Sequence, residues 1–262
     1  MTPVPRGPVA RVLLLAFVVA VAADLAALLA GSDTGHRIAK PLLMPLLAAY
    51  AAYAAYAAYA AYAVYSASAV AGHAPGRVPR PLLAALLFGW GGDVFLLSDA
   101  EWAFLVGMGS FAAGHVCYLF LFRRARTSPA LGAVYGAALV VTVVLLWPGL
   151  PADLRVPVAG YAALLTAMAY RASGLGLAAG AGGALFLLSD TLIAAGVADW
   201  PQPPVPDFWI MATYTAAQYL LVQGVLRTAG QGPSHSARSV PSGAGGRVQS
   251  AGPPSYDTGE RA

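Results

Sequence analysis

Residues 12–30 form an almost unbroken apolar run, which only Asp24 interrupts. At about 1.5 Å per residue, a helix of this length spans the hydrocarbon core of a bilayer, which is about 30 Å thick. Segments of the same character recur as far as residue 226, separated by stretches rich in Gly, Pro and Arg. Because a backbone in lipid must satisfy its own polar groups, the pattern predicts a bundle of transmembrane helices.

The overall composition also favours the bilayer as the solvent. Of 262 residues, 59% are hydrophobic and only 10% are charged, which is too few polar side chains to cover a soluble globule. The formal net charge of +4 does not indicate a nucleic-acid partner, because the basic residues fall in short loops and near the C-terminus. The single cysteine, Cys117, excludes an internal disulfide and a multi-cysteine metal site.

The sequence predicts an all-α integral membrane protein with eight transmembrane helices. A lead of residues 1–10 precedes the transmembrane domain, 11–227, and the Gly-, Ser-, Pro- and Arg-rich stretch 228–262 is predicted to be a disordered cytoplasmic tail. The second helix is predicted to open at Lys40-Pro41, after a polar loop at 31–40. The approximate helix ranges are 12–30, 41–71, 82–98, 102–122, 130–147, 156–170, 175–197 and 208–226.

The N-terminal run allows two interpretations. Ala20-Val21-Ala22 has the small-x-small pattern of a cleavage site, so a removed signal peptide is one of them. The run continues to Ala30, which favours a retained first helix. With eight spans, one side of the membrane receives twelve Arg residues, and the other receives only Arg37, Lys40 and Arg155. The positive-inside rule then predicts a plasma-membrane protein with both termini in the cytoplasm.

The second helix carries six tyrosines at intervals of three residues, from Tyr50 to Tyr65, separated almost entirely by alanine. At about 100° per residue, side chains three apart rotate around the helix and do not share one face. We interpret the pattern as a triplet expansion that lengthens the helix. An aromatic belt at the membrane interface is the alternative.

Two segments with acids in apolar surroundings suggest where the chemistry lies. Residues 182–190 match seven of the nine positions of residues 91–99 after a shift of 91 residues. The match suggests a 4+4 internal repeat, with a site where the two halves face each other. An ionisable residue inside a membrane is costly, so Asp93 and Asp190 are functional candidates by default.

Three carboxylates are predicted at one depth. Asp24, Asp93 and Asp190 lie 11 to 15 residues from the cytoplasmic start of outward-running helices, which suggests a shared polar cavity that opens outward. The alternative is that each aspartate bonds only Ser, Thr or backbone groups of a neighbouring helix. That alternative is strongest for Asp24, whose helix has no other polar feature.

The inward-running helices add polar side chains that can meet these acids. His115 and Tyr118, three residues apart, share a helix face, as do Tyr214 and Gln218, four apart. Tyr161 lies in the sixth helix. The sequence has no pattern typical of a metal site, a phosphate-binding loop or a serine hydrolase, so no metal or other cofactor is expected.

Five short motifs follow one another along the chain: Lys40-Pro41, Gly92 to Leu97, Gly114 to Tyr118, Leu185 to Asp190, and Tyr214 with Gln218. Each motif alone is weak, but their order and spacing resemble the YhhN/TMEM86 family of membrane proteins, the lysoplasmalogenases, over about residues 12–226. The alanine–tyrosine expansion and the long tail depart from the family without displacing a motif.

The resemblance implies eight transmembrane helices and hydrolysis of the vinyl ether bond of lysoplasmalogens. The substrate would be a lysophospholipid in the bilayer, and the products a fatty aldehyde and a glycerophospho-alcohol. The family's paired aspartates correspond to Asp93 and Asp190. No cofactor is required.

This chemistry suits two carboxyl groups, one protonated and one ionised. An acid protonates the β-carbon of the alkenyl ether, water captures the oxocarbenium ion, and the hemiacetal collapses to aldehyde and alcohol. Burial beside a second carboxylate favours the neutral form of the acid, while the ionised partner can stabilise the cation and deprotonate the water. Lys40 and Arg37 could hold the lipid phosphate at the outer mouth. The expected positioning residues are His115, Tyr118, Tyr161, Tyr214 and Gln218.

Two other classes of function fit the same residues. A small-solute or proton-coupled transporter also suits a repeat with buried carboxylates, and it predicts solute movement without lipid turnover. A structural or regulatory membrane protein would use its acids only to pack helices. Asp→Asn changes would then alter stability alone.

Overall fold

The structure, a computed structural model, describes residues 7–66 and 79–230. In these ranges the chain forms eight α-helices and one 3-10 turn, Ser173–Leu175, and no strand, so the predicted all-α class is confirmed. The helices are α1 (Pro8–Leu29), α2 (Asp33–Ser66), α3 (Arg80–Phe95), α4 (Glu101–Phe122), α5 (Pro129–Leu146), α6 (Arg155–Ala172), α7 (Leu177–Val197) and α8 (Pro206–Gly230).

Five of these helices are long and apolar enough to cross a membrane: α1, the first part of α2, α4, α5 and α7. The remaining three are shorter or more polar. α3 has only 16 residues, α6 carries two tyrosines and a threonine, and α8 carries tyrosines, threonines and two glutamines. Buried polar residues lower the mean hydropathy of a helix that hides them from lipid, so the apolar signal is weakest where the interior is most polar.

Contacts between helices follow a closed cycle of six, which we call the helix ring. α2 packs against α3, α3 against α4, α4 against α6, α6 against α7, α7 against α8, and α8 against α2. α1 lies outside the helix ring, against α2 and α8, and α5 lies outside it, mainly against α6. Every helix of the ring carries at least one of the polar residues singled out in the sequence.

The second helix begins earlier than the sequence predicts. α2 starts at Asp33, so Lys40 lies at the end of its second turn, and both Pro41 and Pro45 lie inside the helix. Pro45 has no N–H to bond the Pro41 carbonyl four residues back. The Trp90 indole N–H of α3 donates to that carbonyl at 2.9 Å. A neighbouring helix thus satisfies the backbone group that the proline frees, as membrane helices require.

The two segments of the predicted repeat occupy different positions in their helices. Residues 182–190 are wholly helical within α7, whereas α3 ends at Phe95 and residues 96–98 form a turn. The shift of 91 residues therefore pairs Asp190 with Asp99, whose side chain is 99% exposed. By helix position the counterpart of Asp190 is Asp93, because each is the fourteenth residue of its helix.

Two further predictions concern the ends of helices. Residues 228–230, which the sequence assigns to the tail, belong to α8; the rest of the predicted tail, 231–262, and residues 1–6 lie outside the described ranges. In α2, Tyr50 is buried and accepts a 2.8 Å hydrogen bond from Gln223, while Tyr56 is 65% exposed. The tyrosines whose side chains are described thus point in different directions; those of Tyr62 and Tyr65 lie outside the described part.

Candidate active site

Asp93 belongs to a hydrogen-bonded group that joins three helices, which we call the Asp93 network. The Tyr214 hydroxyl donates to Asp93 Oδ2 at 2.9 Å and accepts a longer bond from Gln218 Nε2 at 3.5 Å. The Tyr118 hydroxyl donates to Gln218 Oε1 at 2.7 Å. None of the four side chains is more than 3% exposed. Gly89 makes room for them, because a Cβ there would lie 3.1 Å from Gln218 Nε2.

Asp190 belongs to a second group, the Asp190 network, on α4, α6 and α7. The Tyr161 hydroxyl donates to Asp190 Oδ2, and His115 Nε2 lies 3.0 Å from the same hydroxyl oxygen. Because Tyr161 has one proton and gives it to Asp190, His115 donates from Nε2, so a neutral imidazole has no proton on Nδ1. That nitrogen is buried and has no hydrogen-bond partner in the described chain.

Two phenylalanine rings separate the networks. Phe186 lies 5.4 Å from Tyr214 and 4.8 Å from His115 between ring centroids, so it contacts both networks. Phe111 lies 5.8 Å from Tyr214 and packs edge-on against Phe186. No hydrogen bond joins the two networks within residues 7–66 and 79–230. The carboxyl groups of Asp93 and Asp190 therefore both lie among the helices of the ring but have separate hydrogen-bond partners.

Two apolar cavities meet at Asp190 and Tyr161. The larger has about 630 Å³ of unoccupied space, part of it open to the surroundings, and lies between α5, α6 and α7. The smaller has about 430 Å³ and is lined by α4, α6, α7 and the turn after α3. Asp93 lines neither of these cavities. Asp190 is thus the carboxyl group that a molecule in either cavity would meet.

A third polar cluster joins α1 to α2. His36 Nδ1 lies 2.8 Å from Asp24 Oδ1, and Asp24 is fully buried, with Oδ2 unpartnered in the described chain. Lys40 is 8% exposed, and both it and the Asp24–His36 pair lie within electrostatic range of Asp93. Sequence reasoning missed His36 because it assigned residues 31–40 to a loop. Asp24 has a histidine within hydrogen-bond distance and not only the Ser, Thr or backbone contacts of the alternative interpretation.

The predicted site residues thus divide into two networks and one neighbouring cation. Lys40 is not at a helix mouth, since it lies inside α2 beside the Asp93 network. Arg37 lies at the surface, where its side chain is 3.7 Å from Asp99. Across the described ranges, no group of three or more His, Cys, Asp or Glu side chains is arranged to hold a metal ion. Sequence reasoning also missed Phe111 and Phe186, whose roles depend on packing between distant helices.

These features define a multi-pass membrane protein whose polar side chains gather inside a ring of helices. The model of the YhhN family matches residues 35–225, and the chain belongs to this family. It is 35% identical to human "Lysoplasmalogenase TMEM86B" over 147 residues, which cover 56% of this chain and 64% of that protein. It is 34% identical to a "Lysoplasmalogenase" of Mycobacterium tuberculosis over 172 residues, 60% of this chain and 65% of that protein.

The pig "Lysoplasmalogenase TMEM86B" is 38% identical over 141 residues, 53% of this chain and 61% of that protein. The matched regions therefore span somewhat less than two thirds of these relatives. No solved structure matches the chain.

Proposed function

We propose that this protein is a membrane-embedded hydrolase that cleaves the vinyl ether bond of lysoplasmalogens to a fatty aldehyde and a glycerophospho-alcohol. One observation carries the proposal: Asp190, held by the Tyr161 hydroxyl, stands where two apolar cavities meet inside a member of the YhhN family. The names of the relatives support the same activity. An apolar cavity with one acid in its wall suits a lipid whose reactive bond lies next to its chain.

The proposed reaction needs a proton, a water molecule and two carboxyl groups. One carboxyl transfers its proton to the β-carbon of the alkenyl ether, and the oxocarbenium ion forms at the carbon bonded to oxygen. Water adds to that carbon and gives a proton to a carboxylate. The hemiacetal then breaks its C–O bond, which releases the aldehyde and the alcohol. The net change is the addition of one water, so the acid is regenerated.

The surroundings of Asp93 and Asp190 support these roles. Each carboxyl accepts a hydrogen bond from one tyrosine, which fixes its orientation. The aromatic rings around them exclude bulk water, and this limits competing proton transfer to solvent. Lys40 is near enough to Asp93 to balance a negative charge there. Its burial inside α2 argues against the expected contact with a lipid phosphate at the mouth.

We also propose eight spans, a 4+4 arrangement of the helices, and both termini in the cytoplasm at the plasma membrane. The matching helix positions of Asp93 and Asp190 support the repeat. So does the helix ring, because α2, α3 and α4 succeed one another in it as α6, α7 and α8 do. The twelve-to-three division of basic residues supports the orientation.

The proposal is tested with membranes that contain the full-length protein. They are incubated with a lysoplasmalogen and, separately, with an acyl lysophospholipid of the same chain length, and released aldehyde is measured. Aldehyde is expected only from the lysoplasmalogen and only above the level of membranes that lack the protein. The absence of that difference would refute the proposal. A transporter, the alternative class, would instead move solute into sealed vesicles without lipid turnover.

A further inference from the structure

The larger cavity, between α5, α6 and α7, has the features of a site for a hydrocarbon chain. Most of its wall is apolar, and part of its space is open to the surroundings of the protein, as a site that takes up a chain from lipid requires. We call it the α5 groove. Its apolar lining includes Leu139, Val143, Leu146, Ala162, Leu165 and Leu187.

α5 is the wall between this groove and the bilayer. It lies outside the helix ring, and of its residues only Leu146 is buried. The residues on its groove side recur at helical spacing, and the opposite side carries Val140, 60% exposed, and Val144, 63% exposed. One helix thickness therefore separates the groove from lipid, and a chain can enter beside α5 without crossing the helix ring.

Polar groups inside the groove indicate that its occupant is not a pure hydrocarbon. Besides Asp190 and Tyr161, the wall includes Thr166, which is 5% exposed and whose hydroxyl has no hydrogen-bond partner in the described chain. A buried hydroxyl without a partner costs free energy, so it calls for a polar atom in the occupant. The hydroxyl lies one to two helical turns along α6 from Tyr161.

We propose that the α5 groove binds the aliphatic chain of the lysolipid substrate, which enters from the bilayer beside α5, so that Asp190 is the carboxyl that meets the vinyl ether. This inference rests on the proposed function. It assigns the proton transfer to Asp190, because the Asp93 carboxyl lines neither cavity. The ether and glycerol oxygens would supply the polar atoms that Thr166 lacks. Asp93 is then the buried partner carboxyl, which acts on the reaction through the side chains around it.

Narrowing the α5 groove should impair the hydrolysis of long-chain substrates more than that of short-chain substrates. Leu139→Trp places a bulky ring on the groove side of α5, and Val140→Trp places the same ring on the exposed side of the same helix. For Leu139→Trp, the ratio of kcat/KM for a long-chain lysoplasmalogen to that for a water-soluble short-chain analogue should fall by about tenfold or more, as expected when a pocket is overfilled. Val140→Trp should keep the wild-type ratio.

An equal ratio in both variants would overturn the chain assignment. Folding is checked for both by thermal stability in detergent. Val143→Trp, also on the groove side, replaces Leu139→Trp if that variant does not fold, and it is judged by the same ratio.

A binding experiment separates this inference from the proposed activity. A non-hydrolysable alkyl-ether lysolipid with a diazirine on its chain is photolysed with the wild-type protein in vesicles, and labelled peptides are identified by mass spectrometry. Labels are expected on residues 138–146 and 158–166, and excess unlabelled alkyl lysolipid should suppress them while diacyl phospholipid does not. Suppression by both lipids alike would identify a cleft for bulk lipid and overturn the inference. This holds whether or not the protein hydrolyses anything.

Discussion

Asp93 and Asp190 occupy the same position in their helices, yet Asp190 lines both of the cavities described above and Asp93 lines neither of them. Asp93 is 2% exposed and lies behind Tyr214, whereas Asp190 lines both cavities beside Tyr161. Two carboxyl groups in equivalent places thus have different access to a ligand. This difference gives the proposed two-carboxyl mechanism an accessible acid and a buried partner.

The first prediction concerns these two carboxyl groups. Asp93→Asn and Asp190→Asn should each lower kcat by about 10²–10⁴-fold, because Asn keeps the size of Asp but supplies neither an acidic proton nor a charge. The double variant should lose little more than either single variant, since groups that act as a unit are not additive. Asp99→Asn, on the exposed acid after α3, is the matched control and should behave as wild type. A single variant that retains more than about a tenth of the wild-type kcat would contradict the mechanism.

The sequence predicts the helices well and their pairing poorly. Apolar runs and proline positions are local signals, so most predicted boundaries fall within a few residues of the structure. The predicted start of α2 is wrong because residues 33–37 are polar apart from one glycine, although they are helical and Asp24 contacts His36 there. A polar segment is mistaken for a loop when the residue that packs against it lies on another helix.

The candidate site is likewise predictable only in part. An acid in an apolar run is visible in the sequence, and so are tyrosines at helical spacing. The bond from Tyr161 to Asp190 crosses 29 residues and two helices, and no periodicity reveals it. Packing alone determines that the His115 Nδ1 and the Thr166 hydroxyl have no hydrogen-bond partner among the residues that the structure describes. The sequence therefore predicts which residues belong to the site but not which of them are hydrogen-bonded to each other.

The second prediction tests the tyrosine that holds Asp190. Tyr161→Phe removes the donated hydrogen bond but keeps the ring, so kcat should fall by about tenfold or more, since leaving a buried acceptor without its donor costs about 1–3 kcal/mol. Tyr170→Phe, on the same helix, loses only an exposed bond to the Ser128 carbonyl and should change kcat little. Equal rates for the two variants would contradict a role for the Tyr161 hydroxyl.

The third prediction concerns the buried pair between α1 and α2. Asp24→Asn should lower the free energy of unfolding by about 1–3 kcal/mol, because it weakens the hydrogen bond between the buried aspartate and His36. Activity per folded molecule should fall much less than in Asp190→Asn, since Asp24 lines neither cavity. Asp33→Asn, an exposed acid in the first turn of α2, is the control for lost charge. Chemical denaturation in detergent gives the stabilities; unchanged stability in Asp24→Asn would contradict the structural role.

The fourth prediction concerns the close contact of α7 with α8. A Cβ at Gly182 would lie 2.9 Å from the Ala217 carbonyl oxygen and 2.9 Å from the Leu221 amide nitrogen, both of which are backbone atoms that cannot easily move. Gly182→Ala should therefore destabilise the fold by about 1–3 kcal/mol. Gly136→Ala on α5 meets no atom within 4 Å and should be neutral or slightly stabilising. Equal unfolding midpoints for the two variants would contradict a tight contact between α7 and α8 at Gly182.

The last prediction is the orientation of the chain in the membrane. Two contacts, one on each side of the membrane, join segments that the sequence assigns to the same side. Arg171, at the end of α6, donates to the Phe122 carbonyl at the end of α4, beside the arginines at 123, 124 and 126. Arg37, near the start of α2, lies 3.7 Å from Asp99 in the connection before α4. The arginine-bearing ends of α4 and α6 are therefore together at one end of the bundle, as the positive-inside rule requires of ends on the cytoplasmic face.

A reporter fused after Arg227 should accordingly register as cytoplasmic, and one inserted near Pro203, between α7 and α8, as external. Each fusion is read with two reporters, one active only in the cytoplasm and one active only outside, so that a silent fusion is distinguished from a misplaced one. Reversing the charge of the cluster at 123–126 should weaken the cytoplasmic signal, because short basic loops set the orientation. An external signal from the fusion after Arg227 would imply an odd number of spans in the mature protein, and it would favour a cleaved signal peptide over a retained α1.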